Sequence, residues 1–255
     1  MKQDLDHQRH ALLEGALSEF HSRHSGGGSP ASEESGEDRV YRVLFDSILE
    51  HRLAPGMKLK EVPLAEAFGV TRGVVRKALA RLSALKLVNL RANRGAAVAN
   101  PSGKEAQQIF EARRLVEIAL IERLAGIATA RQVEELRRFV KAEHDSYDSG
   151  DTRSGIWLSM GFHIKLGEYA DNAVLSEFLE RLVVQTPLIF LVDGHGHPGK
   201  SCSAREHTEI IDAIAAGDPK QAAACMDAHL RHVEHSAQPR RTGPKSELSQ
   251  LLGLD

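Results

Sequence analysis

The chain has 255 residues, of which 42% are hydrophobic and 27% charged, and its formal net charge is −2. This composition is ordinary for a soluble globular protein, and the length allows two domains or one large one. No apolar run approaches the roughly 20 residues of a membrane helix, and the first residues lack the apolar segment of a signal peptide, so we expect a cytoplasmic protein that does not bind membranes. The two cysteines, Cys202 and Cys225, are too few for a disulfide framework.

An N-terminal extension is predicted over residues 1–38. Residues 25–36 are rich in Ser and Gly, which is typical of a flexible linker. Residues 1–24 have the spacing of an amphipathic helix, which either docks on the rest of the chain or on a partner subunit, or is a frayed and dispensable extension. Its apolar face would hold Leu12, Leu13, Ala16, Leu17 and Phe20.

Residues 39–100 have the pattern of a helix-turn-helix domain. A first helix over residues 39–51 is stopped by Pro55 and Gly56, and a short apolar helix ends at Gly69. The next helix begins after Thr71, which is a typical N-cap residue. The residues of this helix that recur at helical spacing and should face a core are Val74, Val75, Ala78, Leu79 and Leu82. The basic residues left outside are Arg72, Arg76, Lys77 and Arg81.

Two strand-like segments follow this helix and meet around residues 92–95. A hairpin in this position would be a wing, which carries Arg91 and Arg94 toward the DNA backbone or the minor groove. The two helices, their tight turn and the wing together favour a DNA-binding module. The alternative is that these arginines are only a solvated surface.

The charge is unevenly distributed along the chain. Residues 39–100 hold twelve Lys and Arg against four Asp and Glu, a balance of +8, whereas the rest of the chain holds 21 basic and 31 acidic residues, a balance of −10. A basic module on an acidic body indicates one domain that binds a polyanion and a second domain with another task.

Residues 101–237 are predicted to form an all-α domain, because helical periodicity continues there without strand-like alternation. The predicted helices lie near residues 104–126, 130–147, 154–169, 172–193, 203–216 and 218–235. Residues 238–255 are expected to form a loose tail. The predicted fold class is therefore mainly α, with a winged helix-turn-helix domain that includes a small β-hairpin, followed by a helical bundle.

Three histidines, His163, His207 and His229, lie on the apolar sides of three different predicted helices. One inward histidine is more often a satisfied core residue than a ligand, but three in one bundle favour a divalent metal. His195 and His197 are spaced like a loop metal site, but the sequence around them favours a polar turn.

Arg113, on the first helix of the predicted bundle, is a second candidate for ligand binding. Its guanidinium would bind a carboxylate effector bidentately, or it would pair with Glu117 four residues later on the same helix.

The basic module resembles the DNA-binding domain of the GntR family of bacterial transcription regulators, over segments 53–59, 64–66, 69–72, 75–79 and 94–95. In that family, arginines at the positions of Arg72 and Arg76 approach bases and phosphates in the major groove. Val62 stands where some relatives have a basic contact residue, which leaves the wing and two lysines as further phosphate contacts. The candidate DNA-binding residues are thus Lys58, Lys60, Thr71, Arg72, Arg76, Lys77, Arg91 and Arg94.

The helical part resembles the FadR-type (FCD) ligand-sensing domain of one GntR subfamily, over segments 111–117, 162–163, 171–172, 206–207, 210–211, 215–218 and 226–230. The resemblance implies that His163, His207 and His229 bind zinc, nickel or manganese, and that a carboxylate effector completes the coordination.

The chain departs from the family pattern at Ser159, where relatives usually place an acidic metal ligand four residues before the first histidine. Three histidines can still hold zinc, with water, the effector or Cys225 as the fourth partner. Metal-free effector binding and purely structural histidines remain the alternatives. The candidate effector-binding residues are Arg113, Ser159, His163, His207 and His229.

The sequence thus predicts a homodimeric transcription regulator, a repressor more than an activator, whose binding to an inverted-repeat DNA operator responds to a small organic acid. A hydrolase that uses a three-histidine metal, and a DNA-binding protein without any ligand, are the two alternatives. The first has no convincing general base beside the histidines and leaves the winged helix unexplained. We therefore expect that the chain is not an enzyme.

Overall fold

The computed structural model of the chain describes residue 15 and residues 34–91, 95–190 and 202–236. Several predicted features lie outside these ranges. They are the N-terminal helix except Gly15, most of the linker, Arg94, the pair His195 and His197, and the tail 238–255.

The N-terminal part contains the predicted helix-turn-helix. Helix α1 (Gly36–Leu49) is followed by strand β1 (Lys58–Leu59), helix α2 (Glu61–Phe68) and helix α3 (Arg72–Ala84). Gly69 ends α2 with φ of 65°, a left-handed conformation that favours glycine. The Thr71 hydroxyl then accepts a hydrogen bond from the backbone N–H of Val74 and caps α3. Gly69 and Thr71 therefore form the turn between α2 and α3, as the sequence predicted.

The wing is a hairpin of strands β2 (Val88–Arg91) and β3 (Gly95–Val98), which pair antiparallel with Arg91 opposite Gly95. Strand β1 adds to the other edge of β3, so that the sheet has the order β1-β3-β2, with Lys58 opposite Ala97. The hairpin was predicted, whereas β1 was not, because two residues are too few to show an alternating pattern.

The C-terminal part is a bundle whose described residues are all helical or in loops, as predicted. Its helices are α4 (Gly103–Ile127), α5 (Ala130–Asp148), α6 (Thr152–Tyr169), α7 (Ala173–Val183), α8 (Cys202–Ala215) and α9 (Pro219–His235). Capping boxes fix the starts of α4 and α5 through Ser102 with Glu105 and through Thr129 with Gln132. Within the described ranges, no helix combines the length and the hydropathy that crossing a bilayer requires.

The predicted helix over residues 172–193 is wrong in its second half. Helix α7 ends at Val183 and is followed by a short 3-10 helix, Thr186–Leu188. Pro187 explains the change, because proline has no backbone N–H and its ring collides with the preceding helical turn. This break matters for the site described below, since Thr186 belongs to the 3-10 helix.

Arg81 also differs from expectation, because it is not a freely exposed basic residue of α3. Its guanidinium lies 4.1 Å from the centre of the Tyr41 ring and pairs with Glu37 and Asp38 of α1. It is therefore a contact between the two helices, and the basic surface of α3 is limited to its N-terminal half.

The winged helix packs against the bundle through α1 and α6. The ring centres of Phe45 and Trp157 are 5.8 Å apart. Arg153 Nε lies 2.6 Å from Glu50 Oε1, which forms an ion pair between the two parts of the chain. Helix α6 therefore contacts the DNA-binding domain, and it also carries His163 and Ser159.

Candidate functional sites

The first site is the exposed N-terminal half of α3. The side chains of Arg72, Arg76 and Lys77 are 62%, 65% and 75% exposed, as a surface that contacts DNA requires. Thr71 is exposed at the same helix end, and Lys58 and Lys60 are exposed on and beside β1. Arg91 ends β2, and Arg94 is outside the described residues.

A carboxylate holds two of these arginines in the free protein. Glu61, the first residue of α2, lies 3.2 Å from Arg76 Nε and 2.9 Å from Arg76 Nη2, in a bidentate arrangement. Arg72 Nη2 lies 3.5 Å from the same carboxylate. The hydrogen bond from Arg76 lowers the pKa of Glu61. The sequence analysis did not identify this pair, because its members are separated by the turn between the two helices.

The second site is a cluster of three histidines at the centre of the bundle. His163 on α6, His207 on α8 and His229 on α9 are 4%, 0% and 2% exposed. One ring nitrogen of each histidine lies within 4.8 Å of the other two, which satisfies the spacing of a metal site. The convergence of three helices that the sequence predicted is thus present, and Nε2 of His207 lies 3.2 Å from Nε2 of His229.

Each histidine has its own carboxylate partner at Nδ1. The distances are 2.5 Å from His163 to Glu117, 2.8 Å from His207 to Glu143, and 2.8 Å from His229 to Glu206. Carboxylates in this position fix the ring orientation and leave Nε2 as the available nitrogen.

The sequence analysis missed these three carboxylates as site residues, although one signal was present. Glu143 falls on the apolar face of α5 with Phe139, Val140 and Tyr147, which are all buried. An acidic residue at helical spacing among buried apolar residues requires a partner, because an unpaired buried charge is very costly.

Burial sets the protonation of the cluster. It lowers the pKa of His163 to about 4, although the Glu117 carboxylate opposes the shift. Burial and the neighbouring His207 lower the pKa of His229 to about 3. Burial alone would raise the pKa of Glu117, but Arg113 and His163 outweigh it and lower this pKa to about 2. At neutral pH His163 and His229 are therefore neutral, beside an ionised Glu117.

The distance between the facing Nε2 atoms of His207 and His229 indicates whether the cluster can hold a metal ion. A neutral imidazole that donates its Nδ1 proton to a carboxylate has only a lone pair at Nε2. His207 and His229 both have a carboxylate at Nδ1, and their Nε2 atoms face each other at 3.2 Å, so rings that donate their Nδ1 protons to these carboxylates would present two lone pairs to one ion. This separation is close to the roughly 3.3 Å expected between two nitrogen ligands of one tetrahedral zinc ion. The donor set therefore fits a divalent cation.

Arg113 adjoins the cluster and has an unused donor. Its Nε lies 2.7 Å from Glu117 Oε1, and its Nη1 lies 3.1 Å from the Thr186 hydroxyl. The remaining Nη2 is buried and forms no hydrogen bond with any described residue. The intrahelical pair with Glu117 thus exists, yet it leaves one edge of the guanidinium free.

A cavity of about 50 Å³ is lined by Arg113, His163 and His229. Ser159 lines it, in line with its position four residues before His163. Cys225 accepts a hydrogen bond from Gln221 and does not belong to the metal-competent group of described residues. The polar residues around the cavity include Arg113, Tyr147, Ser159, His163, Thr186 and His229.

Family profiles match both parts of the chain. The profile described as bacterial regulatory proteins of the gntR family matches residues 37–98, and that of the FCD domain matches residues 108–232. The basic module and the bundle are thus identified independently of one another.

Full-length relatives are similar to the chain over both parts. The HTH-type transcriptional regulator LutR of Bacillus subtilis (strain 168) is 31% identical, covering 71% of this chain and 92% of LutR. The HTH-type transcriptional repressor RspR of Escherichia coli (strain K12) is 24% identical, covering 80% of this chain and 89% of RspR. Both are named as regulators and not as enzymes, which agrees with the expectation for this chain.

Solved structures have the same fold. A transcriptional regulator GntR from Rhodococcus sp. RHA1 superposes with a TM-score of 0.68 at 25% identity, covering 78% of this chain and 95% of the other. McbR/YncC of E. coli gives a TM-score of 0.67 at 19% identity, over 77% and 94% of the two chains, and supports the fold alone. The profiles, the relatives and the site geometry agree, and the chain belongs to the GntR family of DNA-binding transcription regulators, in the subfamily with an FCD domain.

Proposed function

We propose that the chain is a cytoplasmic, homodimeric repressor whose operator binding is controlled by a metal-assisted carboxylate sensor in the bundle. Residues 39–100 would contact DNA, and residues 101–237 would bind the effector and dimerise. The main support for this sensor is the geometry of His207 and His229. Their Nε2 atoms face each other at 3.2 Å, and the Nδ1 atom of each ring contacts a carboxylate.

His163, His207 and His229 would hold the metal through Nε2, with zinc, nickel or manganese as the candidates. When bound, this ion supplies a positively charged coordination position for an anionic ligand. Glu117, Glu143 and Glu206 keep the rings oriented and their second nitrogens available.

The effector would be a small carboxylate that enters the cavity between Arg113 and Ser159. The free Nη2 of Arg113 offers a charge-assisted hydrogen bond, and the Ser159 hydroxyl leaves room where relatives place an acidic residue. A volume of about 50 Å³ admits only a few non-hydrogen atoms, which favours short-chain acids over long ones.

Two copies of α3 would read two halves of an inverted repeat, since operator symmetry mirrors the symmetry of a dimer. Exposed apolar side chains on neighbouring helices of the bundle support a subunit interface there. Leu115 on α4 is 77% exposed, and Val174 and Phe178 on α7 are 65% and 55% exposed.

Metal content tests the sensor first. Tag-free wild-type protein should contain about one divalent ion per subunit by elemental analysis. His163→Ala should lose the ion, and Glu143→Gln should lower zinc affinity roughly 10- to 100-fold, because the ring of His207 loses its orienting partner. Ser159→Asp should bind the metal more tightly, because it adds a carboxylate to the same cavity.

His144→Ala is the matched control, because His144 is 49% exposed and pairs with Asp148 away from the cluster. A wild-type protein that takes up no zinc, nickel or manganese, or a His163→Ala variant that keeps its ion, would contradict the proposal.

Effector binding depends on the free edge of Arg113. In calorimetric titrations of the metal-loaded protein with acetate, lactate and succinate, Arg113→Lys should lose roughly tenfold or more of the affinity, because lysine keeps the charge but cannot offer the forked donors. Arg114→Lys, which alters a neighbouring arginine that pairs with Glu234, should bind like the wild type. Equal affinities for the two variants would exclude Arg113 as an effector contact.

DNA binding depends on the N-terminal half of α3. With a duplex that the wild-type protein selects from a random pool, Arg72→Ala and Arg76→Ala should each weaken binding roughly 10- to 100-fold. Arg131→Ala, an exposed arginine on the bundle, is the control. Sedimentation should give two subunits per duplex, and the wild-type affinity should fall steeply with salt. Wild-type affinity in both α3 variants would refute the assignment of the recognition helix.

The free energy of unfolding of the metal-free protein should decrease as the pH is lowered below neutrality. His163 and His229 have folded pKa values of about 4 and about 3, below the value of 6.5 for an unperturbed histidine. Between pH 6.5 and 4 the unfolded chain binds more protons, so the free energy of unfolding should decrease by up to about 1.4 kcal/mol per pH unit for each histidine.

Glu117 does not contribute to the pH dependence between pH 6.5 and 4.5. Its pKa is lower in the folded protein than in the unfolded chain, so the stability that it provides is lost only below pH 4.5. Urea unfolding in the presence of a chelator at several pH values measures this slope. A slope that stays flat between pH 6.5 and 4.5 would mean that the cluster is not buried and neutral as described.

A further inference from the structure

The arrangement of Glu61 and Arg76 leaves one particular edge of the arginine exposed. Glu61 occupies the side of the guanidinium formed by Nε and Nη2. No hydrogen bond or ion pair is formed by Nη1 with any described residue, and the Arg76 side chain is 65% exposed. The edge formed by Nη1 and the second hydrogen of Nη2 therefore faces solvent, on the surface of α3 that would contact DNA.

An arginine edge of this kind matches the two acceptors of guanine in the major groove, O6 and N7. A free arginine must lose the freedom of several side-chain torsions to make that contact, and it reaches phosphates equally well. A carboxylate that is hydrogen-bonded to the opposite edge of the guanidinium fixes the direction of the free N–H groups before DNA binds. It also carries a negative charge that repels phosphates.

We propose that Glu61 is a positioning residue for sequence recognition, which holds Arg76 in the orientation that reads a guanine and keeps it away from non-specific phosphate contacts. The proposal rests on the function proposed above for α3 and adds a residue that would not itself need to touch a base. Arg72 shares the carboxylate at 3.5 Å and is held more weakly.

Glu66 provides a matched control on the same helix. It is exposed on α2 and forms no hydrogen bond or ion pair with Arg72 or Arg76. Glu61→Gln and Glu66→Gln therefore make the same change in charge and nearly the same change in shape, and only the first removes the ionic contact with Arg76.

The experiment compares the two variants as full-length dimers, with thermal unfolding to verify that each is folded. Fluorescence anisotropy gives the affinity for the duplex selected by the wild-type protein and for a scrambled duplex of the same length. Glu61→Gln should bind the scrambled duplex roughly two- to fivefold more tightly, and its ratio of selected to scrambled affinity should fall about tenfold. Glu66→Gln should keep the wild-type ratio within about twofold.

A second selection from a random pool gives a readout that helix stability alone would not change. Glu61→Gln should enrich sites with a relaxed preference at one base pair in each half-site, and Glu66→Gln should enrich the wild-type sites. An unchanged ratio and unchanged base preference for Glu61→Gln would overturn the proposal, as would identical behaviour of the two variants.

Arg76→Ala separates this inference from the assignment of α3. Loss of affinity in Arg76→Ala with wild-type discrimination in Glu61→Gln would leave α3 as the recognition helix and reject the role of Glu61. Wild-type affinity in Arg76→Ala would reject both.

Discussion

Three carboxylate–imidazole pairs constrain how the helices of the C-terminal bundle pack together. Glu143 and His207 are both 0% exposed, and no water can compensate for a lost partner at such depth. The three carboxylates come from α4, α5 and α8, and the three histidines from α6, α8 and α9. Five helices must therefore dock in one register for all three pairs to form. If the bundle is a sensor as proposed, it would respond to anything that changes the distance between those helices.

Helix α6 connects that constraint to the DNA-binding domain. It carries His163 and Ser159 toward the cavity, and its N-terminal half contacts α1 through Trp157 and Arg153. An effector shifts a conformational equilibrium only if it binds one arrangement better than another. A carboxylate that engages Arg113, Ser159 and a metal at once would favour one position of α6, and the winged helix packed on that helix would follow. The allosteric element in this hypothesis is thus a single rigid helix.

The local features of the fold could be predicted from the sequence, whereas several of its pairings could not. Thr71 and Gly69 form the turn as expected, because capping and left-handed φ depend on the residue itself. The three histidines converge because each lies on the apolar face of its helix. The predicted helix over residues 172–193 did not take into account that Pro187 breaks helices. Strand β1 was not predicted because it is too short to show an alternating pattern. Glu117 was predicted only as a partner of Arg113. The contacts of Glu117, Glu143 and Glu206 with the histidines escaped prediction, because an acidic residue on a helix usually faces solvent and only the tertiary fold places a histidine opposite each one. Glu61 was missed for the same reason.

The charges around the cavity give Ser159 a physical role. If Glu117, Glu143 and Glu206 are all ionised and the imidazoles are neutral, three negative charges and the positive charge of Arg113 would give the site a charge of −2. A divalent ion would neutralise this charge. An aspartate at position 159 would then leave an excess negative charge that opposes an anionic effector, whereas a serine leaves the site neutral and one coordination position open. On the proposed function, the serine at position 159 would weaken the metal site and would at the same time make room, in volume and in charge, for the carboxylate of an effector.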